Sequence, residues 1–284
     1  MSEGKTKESK VEAVKRGSRA LRGTLREDLA DPAADSFDEA GYNLLKFHGT
    51  YQGYDRDSAT ERKQQGLGRL HHFMVRVRIP GGRLTATQYL VLDEIAGAYA
   101  DGTLRITTRQ SIQFHGVVKD GLKATIAGIN HALLTTLAAC GDVVRTVTTV
   151  PAPIRDAVHQ RLEADARRLS THLLPKTGAY HEIWLDGAKV TPDEEPADPL
   201  YGARYLPRKF KIGLAIPEDN TIDVLTNDLA IVALFENDTL TGYNFFLGGG
   251  HGMTHNKPET YPFLAVPVAF APVQIGDAWL ADGG

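Results

Sequence analysis

The stretch "GTLRITTRQSIQFHG", Gly102 to Gly116, sorts its residue types by position. Leu104, Ile106, Ile112 and Phe114 fall on even numbers, and Arg105, Thr107, Arg109, Gln113 and His115 on odd ones. A period of two is that of a sheet with one apolar face, so the odd positions share the other face. Two guanidinium groups, an imidazole, a hydroxyl and an amide there form a surface of hydrogen-bond donors. Arg76, Arg145, Lys209 and Lys211 lie in other segments of similar character. One arginine on a strand ordinarily keeps an edge soluble. Cations gathered from several segments repel one another unless an anion offsets them, so the set points to a polyanionic ligand.

Such a face must be built by strands and covered behind. From Phe73, "FMVRVRI" alternates as a strand ended by "PGG", and residues 85–102 follow as a helix with Thr85 or Thr87 as N-cap. "TLRIT" and "SIQFHGV" read as two short strands, 122–140 as a second helix, and "DVVRTVTT" as a fourth strand. The order β-α-β-β-α-β predicts a ferredoxin-like unit in an α+β chain, with two helices on one face of the sheet. Val75, Val77 and Ile79 take the covered side, leaving Arg76 and Arg78 on the open side, with Arg145 in the last strand. A charged helix over 155–174, a strand over 180–187 and an acidic loop over 191–199 come next. Residues 208–217, 227–237 and 241–250 then read as strand, helix and strand, a second α/β unit. The expected organisation is an N-terminal arm over 1–50, a ferredoxin-like half-domain over 51–150 and an α/β domain over 151–284. The first forty residues lack apolar periodicity and suggest a flexible arm with one short helix.

The remaining signals exclude more than they assert. The 284 residues carry a net charge of −3, unlike the strongly basic balance of a nucleic-acid binder. No apolar run approaches the roughly 18 residues of a membrane helix, and the start lacks a signal-peptide core, so a cytoplasmic location with no membrane partner is expected. Cys140 is the single cysteine, which excludes an internal disulfide or any metal site built from several thiolates of this chain; it reads as a small core residue. "HEIWL" lacks a second histidine four residues on, the ten histidines show no metal-ligand spacing, and His71 and His72 read as surface residues. Gly248, Gly249 and Gly250 in "FLGGGHG" form either a flexible turn or a main-chain approach to a flat or anionic ligand. Neither a Walker motif nor a strand-linked GxGxxG is present.

Together, "LRGTLREDLADP", "LLKFHGTYQGYDRD", "FMVRVRIPGG", "LRITTRQSIQFHG", "HLLPKTGAYHEIWLDG", "LPRKFKIGLAIPEDN" and "GYNFFLGGGHGMTHNKPETYP" resemble the N-terminal half of the sirohaem-dependent nitrite/sulfite reductases, assimilatory sulfite reductase haemoproteins above all. The resemblance runs from about Leu21 to Pro272. It implies contacts to sirohaem carboxylates at Arg105, Thr107, Arg109, Gln113 and His115, and cations around an iron-bound oxyanion at Arg76, Arg145, Lys209 and Lys211. The Lys-Phe-Lys of "LPRKFK" is similar to sulfite reductases, whereas nitrite reductases tend to have asparagine at the second lysine. Such cations suit a small dianion: they bind it, stabilise charge as electrons arrive and relay protons. The implied activity is the six-electron reduction of sulfite to sulfide, with ferredoxin or an NADPH flavoprotein subunit as electron donor.

Two departures qualify what the resemblance implies. Thr146 stands where the family usually has asparagine. Family members are about twice as long, and their C-terminal half carries four cysteines for a [4Fe-4S] cluster that this chain lacks. The expectation is therefore half of an enzyme, inactive alone, with its α/β domain cut short and a complementary half or chain as partner. A ferredoxin-type nitrite reductase half, a non-catalytic tetrapyrrole-binding module and an inactive remnant remain as other readings.

Overall fold

The computed structural model describes residues 8–273 apart from 178, 180–183, 186–187, 190–196, 251, 254 and 255. The N-terminal segment is not a flexible arm over its described residues. Helices α1 (Lys10–Arg16), α2 (Leu25–Ala30) and α3 (Glu39–Leu45) pack onto the body, α1 opening on a capping box between Ser9 and Glu12. Leu21 is fully buried, and buried Lys15 donates to Asp142 Oδ2 at 3.2 Å and the Leu206 carbonyl at 2.8 Å. These anchors are single residues, too sparse to appear as periodicity.

The first sheet holds β1 (Thr50–Tyr54), β2 (His71–Arg76), β3 (Arg105–Ile106) and β4 (Ile112–Val117) in the order β1-β2-β4-β3. A helix, α4 (Ala59–Gln64), connects β1 to β2. Helices α5 (Ala86–Tyr99) and α6 (Lys119–His131) cover one face, burying Phe73, Val75, Val77, Ile112 and Phe114 with Leu92, Ile95, Leu122 and Ile129. Thr85 caps α5 in a capping box with Gln88, so the expected helix start holds. The ferredoxin-like order is kept with one exchange of strands: residues 142–149 do not join this sheet, and the upstream β1 takes the outer place beside β2. Helix α6 also ends at His131, so Cys140 lies beyond it. Ile106 breaks the even-position rule at 84% exposed, because β3 is a two-residue edge strand.

After α7 (Ala157–His172), capped by Asp156, the hairpin β5 (Trp184–Leu185) and β6 (Ala188–Lys189) is what is described of the strand expected over 180–187. The acidic loop lies mostly outside the described residues. The second sheet comprises β7 (Ile212–Ala215), β8 (Leu229–Glu236), β9 (Thr239–Leu247) and β10 (Val266–Pro272), with β7 and β8 parallel and the rest antiparallel. The helix expected over 227–237 is thus a strand. Its apolar run "LAIVALF" packs on both faces, Ile231 and Ala233 in one buried cluster and Ala230 in another, and such a run does not reveal its period. Asn237 and Asp238, at φ 49° and 61°, close the β8–β9 hairpin in the left-handed pair favoured by a two-residue turn. Leu162, Ala166 and Leu169 of α7 pack on Ile212, Leu214 and Ile231. Among the described residues no helix is long and apolar enough to cross a membrane.

Residues 142–149 instead run beside β7. Arg145 N–H donates to the Phe210 carbonyl at 2.8 Å and Leu214 N–H to the Thr148 carbonyl at 2.8 Å, with parallel bridges Val144–Phe210 and Thr148–Gly213. Arg78 locks this crossing: buried at 3% exposure, it donates to the Ala138 and Val144 carbonyls and to Ser170 Oγ and O. Arg78→Met strands these acceptors, so denaturant titration should show a loss of about 3 kcal/mol or more. Burial also holds the His48 imidazole below its ordinary value. The unfolded chain therefore takes up a proton that the folded chain refuses: stability is full above about pH 6.5 and falls as pH drops below it. Melting temperatures measured across that range should fall less steeply for His48→Gln than for the parent chain.

Candidate anion-binding site

Strand register aligns three of the expected residues. Arg76 stands opposite Gln113 across β2–β4, and Gln113 opposite Arg105 across β4–β3, so all three share one face. The Gln113 amide lies 3.0 Å from His115 Nε2; with its oxygen turned to Arg76 it also accepts from Arg76 Nε at 3.0 Å. Arg105, exposed, pairs with Asp101 Oδ2 at 3.1 Å, the two side chains being 53% and 32% exposed. Such an exposed pair is worth little and leaves Arg105 able to exchange partners. Burial and the Arg105 charge hold the His115 imidazole below its ordinary range.

The β3–β4 turn carries the next two. Thr107 Oγ1 accepts from the N–H groups of Arg109 at 3.3 Å and Ser111 at 3.1 Å, shaping a turn in which Gln110 has φ 54°. Arg109 leaves the sheet face and reaches into the crossing. Its Nη1 donates to Asn227 Oδ1 at 2.7 Å, and Nη2 to the carbonyls of Thr146 at 2.7 Å and Ile212 at 3.0 Å. Nε is buried and makes no hydrogen bond. Burial, and then the Arg145 charge, push Arg109 down to about 10. Gln110 joins the same crossing through the Thr149 carbonyl and N–H.

Because residues 142–149 follow β7, Arg145 comes beside the Lys-Phe-Lys segment. Arg145, 8% exposed, donates from Nε to the Gly141 carbonyl at 2.8 Å. Lys209 is exposed, and its ammonium is held below the ordinary lysine value by partial burial and by the charges of Arg145, Lys211, Arg208 and Arg76. Lys211 follows two residues on, its main-chain N–H bonded to Asp228 Oδ2 at 2.7 Å. Among the described residues no carboxylate forms an ion pair with Arg76, Arg145, Lys209 or Lys211. Gly248 and Gly249 have φ 126° and 35°, and a Cβ on Gly249 would collide with the main chain of Asn227. Gly250 pairs with Phe263 through two main-chain hydrogen bonds. Gly249 therefore serves close packing against the residues before β8, and Gly248 approaches the segment 263–265 before β10.

The donors fit a polyanion rather than a thiolate-bound cluster. A buried guanidinium N–H without a partner and a group of cations with no ion-paired carboxylate, Asp228 being engaged on the Lys211 main chain, match an anionic ligand. An iron–sulfur cluster does not fit, since Cys140 is the chain's single cysteine and is fully buried. Its Sγ accepts from Arg76 Nη1 at 3.0 Å, and Tyr51, a residue the sequence did not single out, faces both this thiol and Arg145. Asn227 is a second such residue; its only signal is a polar position just before an apolar run. Burial raises the Cys140 thiol. A disulfide reagent should leave Cys140 unmodified in the native chain and label it fully after denaturation.

Comparison with known proteins agrees on both parts of the chain. The nitrite/sulfite reductase ferredoxin-like half domain matches residues 67–132, and the nitrite and sulphite reductase 4Fe-4S domain matches residues 164–278, a stretch without cysteine. The sulfite reductase (NADPH) hemoprotein beta-component of Staphylococcus epidermidis is 48% identical over 262 residues, which are 92% of this chain and 46% of that protein. Its counterpart in Anoxybacillus flavithermus is 52% identical over 272 residues, 95% of this chain and 48% of that protein. The chain thus spans about half the length of the curated relatives it matches. The NirA protein of Mycobacterium tuberculosis shares the fold, with TM-score 0.63 at 22% identity over 95% of this chain and 45% of that one. With two of the family's domains matched in order and relatives near half identity along nearly all its length, this chain belongs to the nitrite and sulphite reductase family.

Proposed function

We propose that this chain is the tetrapyrrole- and oxyanion-binding half of a cytoplasmic sulfite reductase haemoprotein, with sirohaem as cofactor and sulfite as substrate. The grouping of Arg76, Arg145, Lys209 and Lys211 without carboxylate partners is the observation that supports it most. Arg105, Gln113 and His115, with the Nε–H of Arg109 and the hydroxyl of Thr107, would meet the carboxylates of the cofactor. The main chain at Gly248–Gly250 borders the same region. When bound, sirohaem supplies an iron able to hold the sulfur oxyanion and pass it electrons. The side chains do the rest. Arg76 and Arg145 attract the dianion and stabilise its growing charge, and the cations around Lys209 make its ammonium a readier proton donor than an ordinary lysine.

A complementary polypeptide bearing the cluster cysteines completes the enzyme, whether as a continuation or as a separate chain. NADPH in the relatives' names favours an NADPH-fed partner subunit over ferredoxin as the electron source.

The test is reconstitution. The purified chain with sirohaem should give a bound Soret band that sulfite shifts, and Lys209→Ala with Lys211→Ala should weaken the sulfite response about tenfold or more. No sulfide should form until a cysteine-bearing C-terminal half and a reductant are added. Failure to bind sirohaem, or an undiminished sulfite response in the double variant, would overturn the proposal. A shift with nitrite and none with sulfite would move it to nitrite.

A further inference from the structure

We infer that Asn227 and Asp228, adjoining residues where β8 begins, are positioning residues: one aims the guanidinium of Arg109, and the other sets the register of Lys211 against the glycine run. The inference rests on the reading of this region as a polyanion site.

Asn227 is 2% exposed, and both its amide nitrogen and its amide oxygen are hydrogen-bonded. Nδ2 donates to the Val224 carbonyl at 3.0 Å, so Oδ1 must face the other way, where it accepts from Arg109 Nη1 at 2.7 Å. Two glycines make this seat. A Cβ on Gly213 would stand 2.8 Å from Nδ2, and one on Gly249 would overlap the Asn227 main chain. Asp228 takes the Lys211 N–H on Oδ2 at 2.7 Å, and its carbonyl takes the Gly248 N–H at 3.1 Å. One dipeptide therefore ties the β3–β4 turn, the Lys-Phe-Lys segment and the glycine run together.

The residue types fit aiming better than neutralising. A carboxylate at 227 would make a buried ion pair with Arg109 and cancel the charge it offers a ligand. The amide fixes the guanidinium through a strong charge-assisted bond and leaves that charge intact. With Nη1 and Nη2 held, the guanidinium plane is fixed, and with it the direction of the buried Nε–H that makes no hydrogen bond within the chain.

Uroporphyrin, an octacarboxylate tetrapyrrole, is the probe, titrated by fluorescence against the purified full chain. Asn227→Ala should bind about tenfold more weakly, the scale of one hydrogen bond to a charged group. Asn227→Asp, close in shape, should bind more weakly still and carries the comparison if the alanine variant does not fold. In an Arg109→Ala background, Asn227→Ala should cost nothing further, because it acts through that guanidinium. Asp228→Ala should weaken binding, and Asp228→Asn, which keeps the acceptor oxygen, should restore it. Unchanged affinity in Asn227→Ala, or an equal loss with Arg109 absent, would overturn the inference. A separate readout needs no ligand: phenylglyoxal should modify Arg109 slowly in the parent chain and several-fold faster in Asn227→Ala, with exposed Arg105 as internal reference. If uroporphyrin does not bind the parent chain, the proposed function fails, and the phenylglyoxal rates alone decide whether Asn227 positions Arg109; equal rates would refute it.

Discussion

The parallel ladder between residues 143–148 and 210–214 is the contact on which the rest of the site depends. It carries Arg145 out of the first sheet and sets it against the segment bearing Lys209 and Lys211. Without it the cations of the two sheets would belong to separate surfaces. The ladder is held from both ends by arginines used as hydrogen-bond donors: Arg78 binds carbonyls at 138 and 144, and Arg109 binds carbonyls at 146 and 212. A guanidinium suits this task because its donors are fixed in a planar fork and can meet several carbonyls at once.

Holding cations together has a cost that the packing must offset. Two unit charges about 6 Å apart at an effective dielectric near 20 repel by about 3 kcal/mol. Burial adds to it, which is why Arg78 and Arg109 are both pushed down to about 10. Backbone carbonyls answer part of this through their dipoles, and they do so without cancelling the net charge. A carboxylate would cancel it. The distinction separates the two kinds of arginine here: Arg105 keeps an exposed carboxylate partner it can give up, whereas Arg78 and Arg109 are fixed by neutral acceptors.

The sequence made the alternating strands legible because one face of the first sheet is buried and the other is not. Val75, Val77, Ile112 and Phe114 went to the core, and Arg76, Gln113 and Arg105 came into one row. Residues 142–149 misled for a physical reason. "DVVRTVTT" has the composition of a strand, and composition does not say which neighbour a strand will choose. The run 229–235 misleads because it packs on both faces and has no polar face to betray its period. Parity puts Arg109 in the row, yet the strand has already ended at Ile106, and Arg109 lies in the turn with left-handed Gln110, its side chain directed into the crossing. Asn227 was illegible, since its role exists only once residues 118 positions apart have met.

The outer strand of the second sheet is apolar and open. Strand β10 is "VPVAFAP", without a charge along its length, and Val266, Val268 and Phe270 are 46%, 52% and 54% exposed. Phe263 and Leu264 before it and Leu247 on β9 are also exposed. Soluble proteins blunt such an edge with charge, proline or a covering element, and here Pro267, Pro272 and the register shift after Pro267 are the devices on the strand. A contiguous apolar edge of this kind is ordinarily buried against another surface. The chain spans about half the length of its curated relatives. An apolar edge with so few blunting devices is where another surface seats most readily, since its exposed side chains gain by leaving water and its open main chain gains hydrogen-bond partners.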